Sequence, residues 1–575
     1  MEKYGDDHQS GRPSGSRIKT SLEPVTGSLD CGVQESLEAA FEKSGSGNRY
    51  RYSRKTSITE GWLSQERPVQ CAGIILYITA IIVSRMIMFS WILVFVLSLY
   101  VYYKNKRKSS LPPGPWNLPL IGSLHRLDSK APHISLTKLA RKYGPIYTIK
   151  LGLLDTVVIS DAKLLKKVLM KDEALARPPL YLLDFIFRGK GVAYSPIHVW
   201  KHQRKFTANF LRTSGAARTS SNKIILENHI GNCADEFIQY IKEQGDYVTL
   251  NPSDSIVYYV TNISSALFLG KAFSRDNETR QILTHNIDEI SKQATIGGAL
   301  NFLPFLRVLP KYKKIVTSFE KSFNKIHEIG KGLIQEVKLT GSNTDDTVPN
   351  LIEAFLTQGS KFLPTEIYNE EQLLHLVVDM LGGSIETTVN SLLWILLYLA
   401  KYENIQNKVR QELFDVLQGK TPKMDDLPKL PYTEATIAEV LRNRSILPLG
   451  FPRYTLDDIE VENFIIPKST MIMPLLWALH TDPTVWKNPE EFCPDRFLND
   501  DGKFHQPGSF LPFQTGKRMC VGEDLAKMII FLFISTVLQN FKIERANSSP
   551  VNLMASCGIT LIPKPQELLF VKLES

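Results

Sequence analysis

The stretch that most narrows what this chain can fold into lies near its C-terminus: Phe513-Gln514-Thr515-Gly516-Lys517-Arg518-Met519-Cys520-Val521-Gly522. One cysteine stands between two glycines, with an arginine two residues before it and a phenylalanine seven before it. An apolar helical run, Leu525 to Leu538, follows at once. A lone cysteine is ordinarily a small buried hydrophobe. Its neighbours here argue for more. The glycines let the backbone approach a flat ligand closely. The arginine offers a charge-assisted hydrogen bond to an anion at that ligand's edge. A thiolate close to the positive end of the following helix can bind a metal.

At 575 residues the chain has room for two to four domains of average size, or for one large catalytic domain. A hydrophobic content of 43% is enough for a large core. The net charge of +9 favours anionic surfaces and acidic partners, but no basic cluster is dense enough to imply nucleic acid. The six cysteines are scattered, with no C-x-x-C pair, which suits a reducing compartment where Cys520 stays free to ligate. No G-x-G-x-x-G follows a strand pattern, so the chain lacks a binding motif for NADPH of its own.

Residues 1–71 are polar, with ten Lys+Arg and ten Asp+Glu among the first 70, and read as a disordered extension. An apolar stretch, 72–103, follows and is expected to be a single transmembrane helix, interrupted at Ser84-Arg85. Its second part, Met86 to Tyr103, has 18 residues without a charge, near the lower limit of about 17–25 for a spanning helix. It is too long for a cleaved signal, and basic residues stand where a cleavage site would lie. Lys104-Asn105-Lys106-Arg107-Lys108 places everything after it on the cytosolic side. Met86 itself opens an ordinary anchor sequence, so residues 1–85 read as an upstream extension or as the product of a start placed too early. Residues 104–116 form a basic hinge ending in Pro112-Pro113-Gly114-Pro115, extended because proline restricts itself and its predecessor.

Beyond the hinge, Ile146 to Gly152 and Thr156 to Ser160 are rich in β-branched residues and predict a hairpin. Residues 161–172, Asp346 to Leu356 and Asn369 to Lys401 predict helices, the last 33 residues long and apolar on nearly all faces, hence buried. Residues 452–475 return to strands and turns. The chain is therefore expected to be mainly α with small β-sheets.

Four further stretches carry chemistry. Trp200-Lys201-His202-Gln203-Arg204 puts Trp200 and Arg204 on one helical face. Glu439-Val440-Leu441-Arg442 does the same for an acid and a base, followed by Pro494-Asp495-Arg496-Phe497. Gly382-Gly383-Ser384-Ile385-Glu386-Thr387 lies in the middle of the long apolar helix, where small residues and a hydroxyl allow the backbone to open. Each has a bland reading: a buried Trp on a surface helix, an exposed i,i+3 pair, a small-residue packing contact. Four sequons, at Asn262, Asn277, Asn443 and Asn547, are expected to stay unmodified in the cytosol.

Taken in order, these stretches resemble the cytochrome P450 superfamily over about four-fifths of the chain, from Pro112 to the C-terminus. The cysteine loop is similar to F-x-x-G-x-R-x-C-x-G at every fixed position. The others resemble W-x-x-x-R, E-x-x-R, P-x-R-F and A/G-G-x-D/E-T, the last with Ser384 where a glycine is usual. Gly522-Glu523-Asp524-Leu525-Ala526 and Leu476 to Pro483 resemble animal microsomal family-2-type enzymes, and within them the arthropod steroid-hormone hydroxylases of the Halloween group.

The resemblance implies a P450 fold at 117–575 and a haem-thiolate monooxygenase with haem b as cofactor. Cys520 is then the axial ligand of the haem iron. Trp200, Arg204, Arg453, Phe513, Gly516, Arg518 and Gly522 bind the haem. Glu386 and Thr387 relay protons, and Glu439, Arg442 and Arg496 form a buried structural network. The implied partners are NADPH–cytochrome P450 reductase, cytochrome b5, the endoplasmic reticulum membrane and a lipophilic substrate, a steroid or ecdysteroid precursor. Lys205 and Lys517 are candidate contacts for the reductase. Alternatives are a P450-fold isomerase or dehydratase working without reductase, and a non-catalytic haem or sterol binder.

Overall fold

The computed structural model describes residues 67–105, 110–217, 219–293, 298–340, 349–546 and 550–574. Residues 1–66 of the extension expected to be disordered, Lys106 to Lys108 of the basic cluster and the Asn547 sequon lie outside the described residues, while residues 67–71 of that extension are helical.

Arg67–Asn105 is one unbroken helix of 39 residues. Ser84-Arg85, expected to interrupt it, is helical, because neither side chain removes a backbone donor. Within it Leu76–Leu99 is long and apolar enough to cross a membrane, and all 24 of its side chains are exposed. At 1.5 Å per residue that window is about 36 Å long, against a hydrocarbon core of about 30 Å.

In the globular part the expected hairpin is present as β1 (Ile146–Leu151) and β2 (Leu154–Ile159), antiparallel, with Ile146 opposite Ile159. The turn at Gly152 has φ +59°, and a Cβ there would strike Phe302 O at 2.5 Å, so only glycine fits. Asp161 caps the following helix, Ala162–Leu169, by accepting from Leu164 N at 2.8 Å. β3 spans Tyr247–Leu250; the expected strands within 452–475 are β4 (Arg453–Tyr454), β5 (Ile459–Val461), β6 (Phe464–Ile466) and β7 (Met471–Pro474). β8 (Phe541–Arg545), β9 (Ala555–Cys557), β10 (Leu561–Pro563) and β11 (Leu568–Lys572) close the chain. The sheets are β1-β2-β7-β4, β3-β11-β8 and the pairs β5-β6 and β9-β10, with β2 parallel to β7.

The helix expected at Asp346–Leu356 begins at Leu351, where Asn350 accepts from Glu353 N at 2.9 Å, and runs on to Phe362. The long apolar helix is Glu370–Lys401, capped by Asn369 through Gln372 N. It packs against the helices Ser253–Leu269, Pro310–Thr340 and Glu523–Asn540 and against β8 and β10. Its apolar circumference follows from these neighbours on nearly every side; Trp394 and Tyr398 are wholly buried. Asn262 and Asn443 are buried as well, which leaves Asn277 as the one partly exposed sequon asparagine among the described residues.

Candidate active site

The cysteine loop is a tight backbone cage. Cys520 N donates to Phe513 O and Met519 N to Gly516 O, both at 3.0 Å. Gly516 has φ +83°, and a Cβ on it would lie 2.2 Å from Leu169 O, the end of the Ala162–Leu169 helix. Gly522 caps the Glu523–Asn540 helix and has open space around its missing Cβ. Burial raises the Cys520 thiol, and the Gly522 N–H and the Arg204 charge only partly offset this. Cys520 nonetheless keeps accessible surface.

Four guanidiniums converge on this loop. Arg204, one turn after Trp200 on the helix Ile197–Leu211, donates to Met519 O at 2.6 Å. Arg453 of β4 donates to Arg518 O at 2.7 Å and to Gln514 Oε1 at 2.9 Å. Arg518 donates to Ser195 O at 2.7 Å, and its Cζ stands 4.6 Å over the Trp200 ring. Arg177, which no motif marked, donates to Ala193 O at 2.9 Å and Pro452 O at 2.6 Å. None of the four forms an ion pair with a carboxylate among the described residues. Burial first, and then mutual repulsion, pushes Arg453 and Arg518 down to about 9. Guanidinium does not give up its proton in proteins. Both therefore keep their charge where burial disfavours it and no carboxylate offsets it. Arg518 Nε and Nη1 are also buried without any partner. Such donors call for an anion.

The segment Gly191–Ser195 carries two of the carbonyls that hold these arginines. It is tied to the long helix by Asp379 Oδ2, which accepts from Val192 N at 2.7 Å and Ala193 N at 2.9 Å. A Cβ on Gly191 (φ +69°) would collide with that same oxygen at 2.2 Å.

Below the loop lies the charge network. Glu439 and Arg442, on the helix Pro431–Asn443, are wholly buried and joined by two bonds, Arg442 Nε to Oε2 at 2.6 Å and Nη2 to Oε1 at 2.8 Å. Arg496 Nε adds a third at 3.0 Å. Arg442 Nη1 reaches His480 O at 2.6 Å, and His480 Nε2 accepts from Leu511 N at 3.0 Å, two residues before Phe513. That acceptor role places the His480 proton on Nδ1, 2.8 Å from Ser445 Oγ. Burial and Arg442 hold His480 down to about 3, so it stays neutral.

Among the described residues no cluster of three or more His, Cys, Asp or Glu can hold a metal ion. A metal bound through Cys520 alone must bring its other ligands with it, as in a macrocycle. A planar metal macrocycle with carboxylate arms fits both the lone thiol and the unpaired arginines.

A cytochrome P450 family model matches residues 112–570. The chain belongs to the cytochrome P450 family. Cytochrome P450 306a1 of Drosophila melanogaster is 32% identical over 521 residues, covering 82% of this chain and 90% of its own length. Cytochrome P450 2J3 of Rattus norvegicus is also 32% identical, over 482 residues, with 82% and 93% covered. Cytochrome P450 18a1 of Drosophila melanogaster is 29% identical over 473 residues, with 80% and 86% covered. Members of the family bind haem b and are monooxygenases, and the fold of this P450 is mainly helical with small sheets, as expected.

The P450's long helix differs from the expected opening. It is α-helical through Gly382 to Thr387. Thr387 Oγ1 donates back to Gly383 O at 2.7 Å. Ser384 Oγ donates across to Ser264 Oγ at 2.9 Å on the helix Ser253–Leu269, a contact that the usual glycine could not make. Gly383 is exposed in the middle of a largely buried helix, between half-buried Gly382 and Ser384, and a Cβ added to it would meet nothing within 4 Å. Glu386 is raised, by burial above all, with its Oε1 accepting from Thr560. Glu386 and Thr387 are adjacent in the chain but engage different partners. Of the docking candidates, Lys205 is exposed, whereas Lys517 is paired with Asp172 at 2.6 Å.

Proposed function

We propose that this monooxygenase hydroxylates a lipophilic steroid or ecdysteroid precursor at the endoplasmic reticulum membrane, with electrons from NADPH–cytochrome P450 reductase. The observation that carries the haem site is the group of four guanidiniums without carboxylate partners around the Cys520 loop. Cys520 would supply a thiolate ligand to the haem iron. Arg204, Arg453 and Arg518, backed by Trp200 and joined by Arg177, would take the propionates, while Phe513, Gly516 and Gly522 shape the loop. Bound haem supplies activation of O2 and insertion of one of its oxygen atoms into a C–H bond.

The chain's own residues do the rest. Glu386 is half-buried, with its proton affinity raised by desolvation, and suits a carboxyl that takes and gives a proton. Thr387, beside it, offers a hydroxyl. Glu439, Arg442 and Arg496 act as a strut under the loop through His480 and Leu511. Cys520→Ala removes that ligand; persistence of the red-shifted ferrous–CO band in that variant would refute the assignment.

Two observations support the membrane reading. One is the exposed apolar Leu76–Leu99 helix. The other is a set of exposed apolar residues around the Gly152 turn. Leu153 follows that turn, Phe302 packs against it, and Phe305, Val308 and Leu309 come soon after Phe302; all four flanking side chains (153, 305, 308 and 309) are exposed. The steroid class rests on the resemblance to arthropod hormone hydroxylases. Screening steroids, fatty acids and terpenoids for a haem spin-state shift, followed by product analysis, tests it. A response confined to fatty acids would overturn it.

A further inference from the structure

The hairpin β9–β10 turns through Gly558, Ile559 and Thr560 against the middle of the long helix. Thr560 is 1% exposed. Its Oγ1 donates to Glu386 Oε1 and accepts from Asn390 Nδ2 at 3.0 Å. A hydroxyl has one hydrogen. With the Asn390 amide donating to the oxygen, that hydrogen is left for the carboxylate. Asn390 lies one turn after Glu386 on the same helical face, so it can hold Thr560 at the acid. The hairpin itself is pinned. Trp394 Nε1 donates to Leu561 O and Leu561 N to Ile446 O, both at 2.8 Å. A Cβ on Gly558 would approach Ser291 O to 3.1 Å.

We propose that Thr560, oriented by Asn390, is a positioning residue that aims Glu386 and stabilises its ionised form, so that the C-terminal hairpin governs how tightly oxygen use is coupled to product. This rests on the reading of Glu386 as a proton carrier. A donor to the carboxylate favours the charged form. It opposes burial, which raises the Glu386 carboxyl. The other groups facing Glu386 come from the helix Glu278–Gln293: the Ser291 hydroxyl and the charges of Asp288 and Lys292, which act in opposite directions.

The test compares Thr560→Val, which keeps the shape and loses the hydroxyl, with Thr560→Ser, which keeps the hydroxyl. In the haem-loaded enzyme, Thr560→Val should release more hydrogen peroxide per O2 consumed and move the acid limb of the turnover profile up by about one pH unit, roughly tenfold in proton affinity. Infrared titration of the carboxyl band that disappears in Glu386→Gln should show the same upward shift independently of turnover. Thr560→Ser should return both readouts toward the parent enzyme. The proposal is overturned if Thr560→Val leaves the infrared titration unchanged, or if Thr560→Ser behaves like Thr560→Val. If Glu386→Gln leaves coupling unaltered, the proton-carrier reading fails and takes the proposal with it; a Thr560→Val infrared shift that persists would mark that case.

Discussion

Arg177 shows how much a single side chain can add to a site. It precedes two prolines, joins no recognisable spacing, and yet bridges Ala193 O and Pro452 O beside the other three guanidiniums. If it shares the propionates, Arg177→Met should weaken haem retention by about 1.5–3 kcal/mol, the range for a hydrogen bond to a charged group. Haem transfer to apomyoglobin should then be some ten- to a hundredfold faster. An unchanged transfer rate would leave Arg177 a loop fastener. Glu439 is the opposite case, a buried acid whose oxygens are taken up by Arg442, Arg496 and Cys493 N. Glu439→Gln strands Arg442 in a wholly buried position, and a loss of about 3–5 kcal/mol is expected in chemical denaturation. A loss below about 1 kcal/mol, the scale of an exposed pair, would contradict the burial.

At the scale of elements, the Glu370–Lys401 helix is both core and wall. Ser384 bonds to Ser264 and so fastens the helix to its neighbour where a glycine would leave it free. In a double-mutant cycle, Ser384→Ala and Ser264→Ala should each cost about 0.5–1.5 kcal/mol and be non-additive; strict additivity would show that the bond contributes nothing. One turn before Gly383, Asp379 holds the segment that feeds carbonyls to the arginines. Burial raises its carboxyl to about 7, against the pull of two backbone N–H donors and Arg177. A carboxyl raised on folding binds more protons in the native state. Its contribution to stability is therefore full below the unfolded value of about 4 and is lost as pH rises through about 7. Asp379→Asn should flatten that part of the stability–pH profile. A wild-type profile already flat between these values would disprove the shift.

Over the whole molecule, the modest positive charge matters where it is left unpaired. Lys517 is paired with Asp172, and Lys205, exposed and in no ion pair among the described residues, is the contact we propose for an acidic electron donor. Lys205→Glu should slow reduction by the reductase roughly two- to tenfold at low salt, with the difference shrinking as salt rises. Substrate-induced spin shifts should not change. A reduction rate insensitive to the substitution and to salt would move the docking surface elsewhere.

The sequence alone determined the features that depend on local chemistry. A glycine-flanked cysteine, a hairpin of β-branched residues, an apolar membrane-length segment and the E-x-x-R pairing are all written in neighbouring residues. Their geometry follows from helix and strand periods that do not need the rest of the chain. Only the tertiary structure decided what depends on long-range approach. Arg177 meets Pro452 across more than 270 positions, and Thr560 reaches Glu386 across 174. No periodicity encodes such distances. The same holds for the thiol of Cys520. Its sequence position, beside a helix start, says nothing of the desolvation that raises its proton affinity. Ser384 looked like a flaw in a motif until Ser264 was placed opposite it. Desolvation and partner choice are properties of the assembled interior, and these two effects, more than residue type, set the chemistry available at the site.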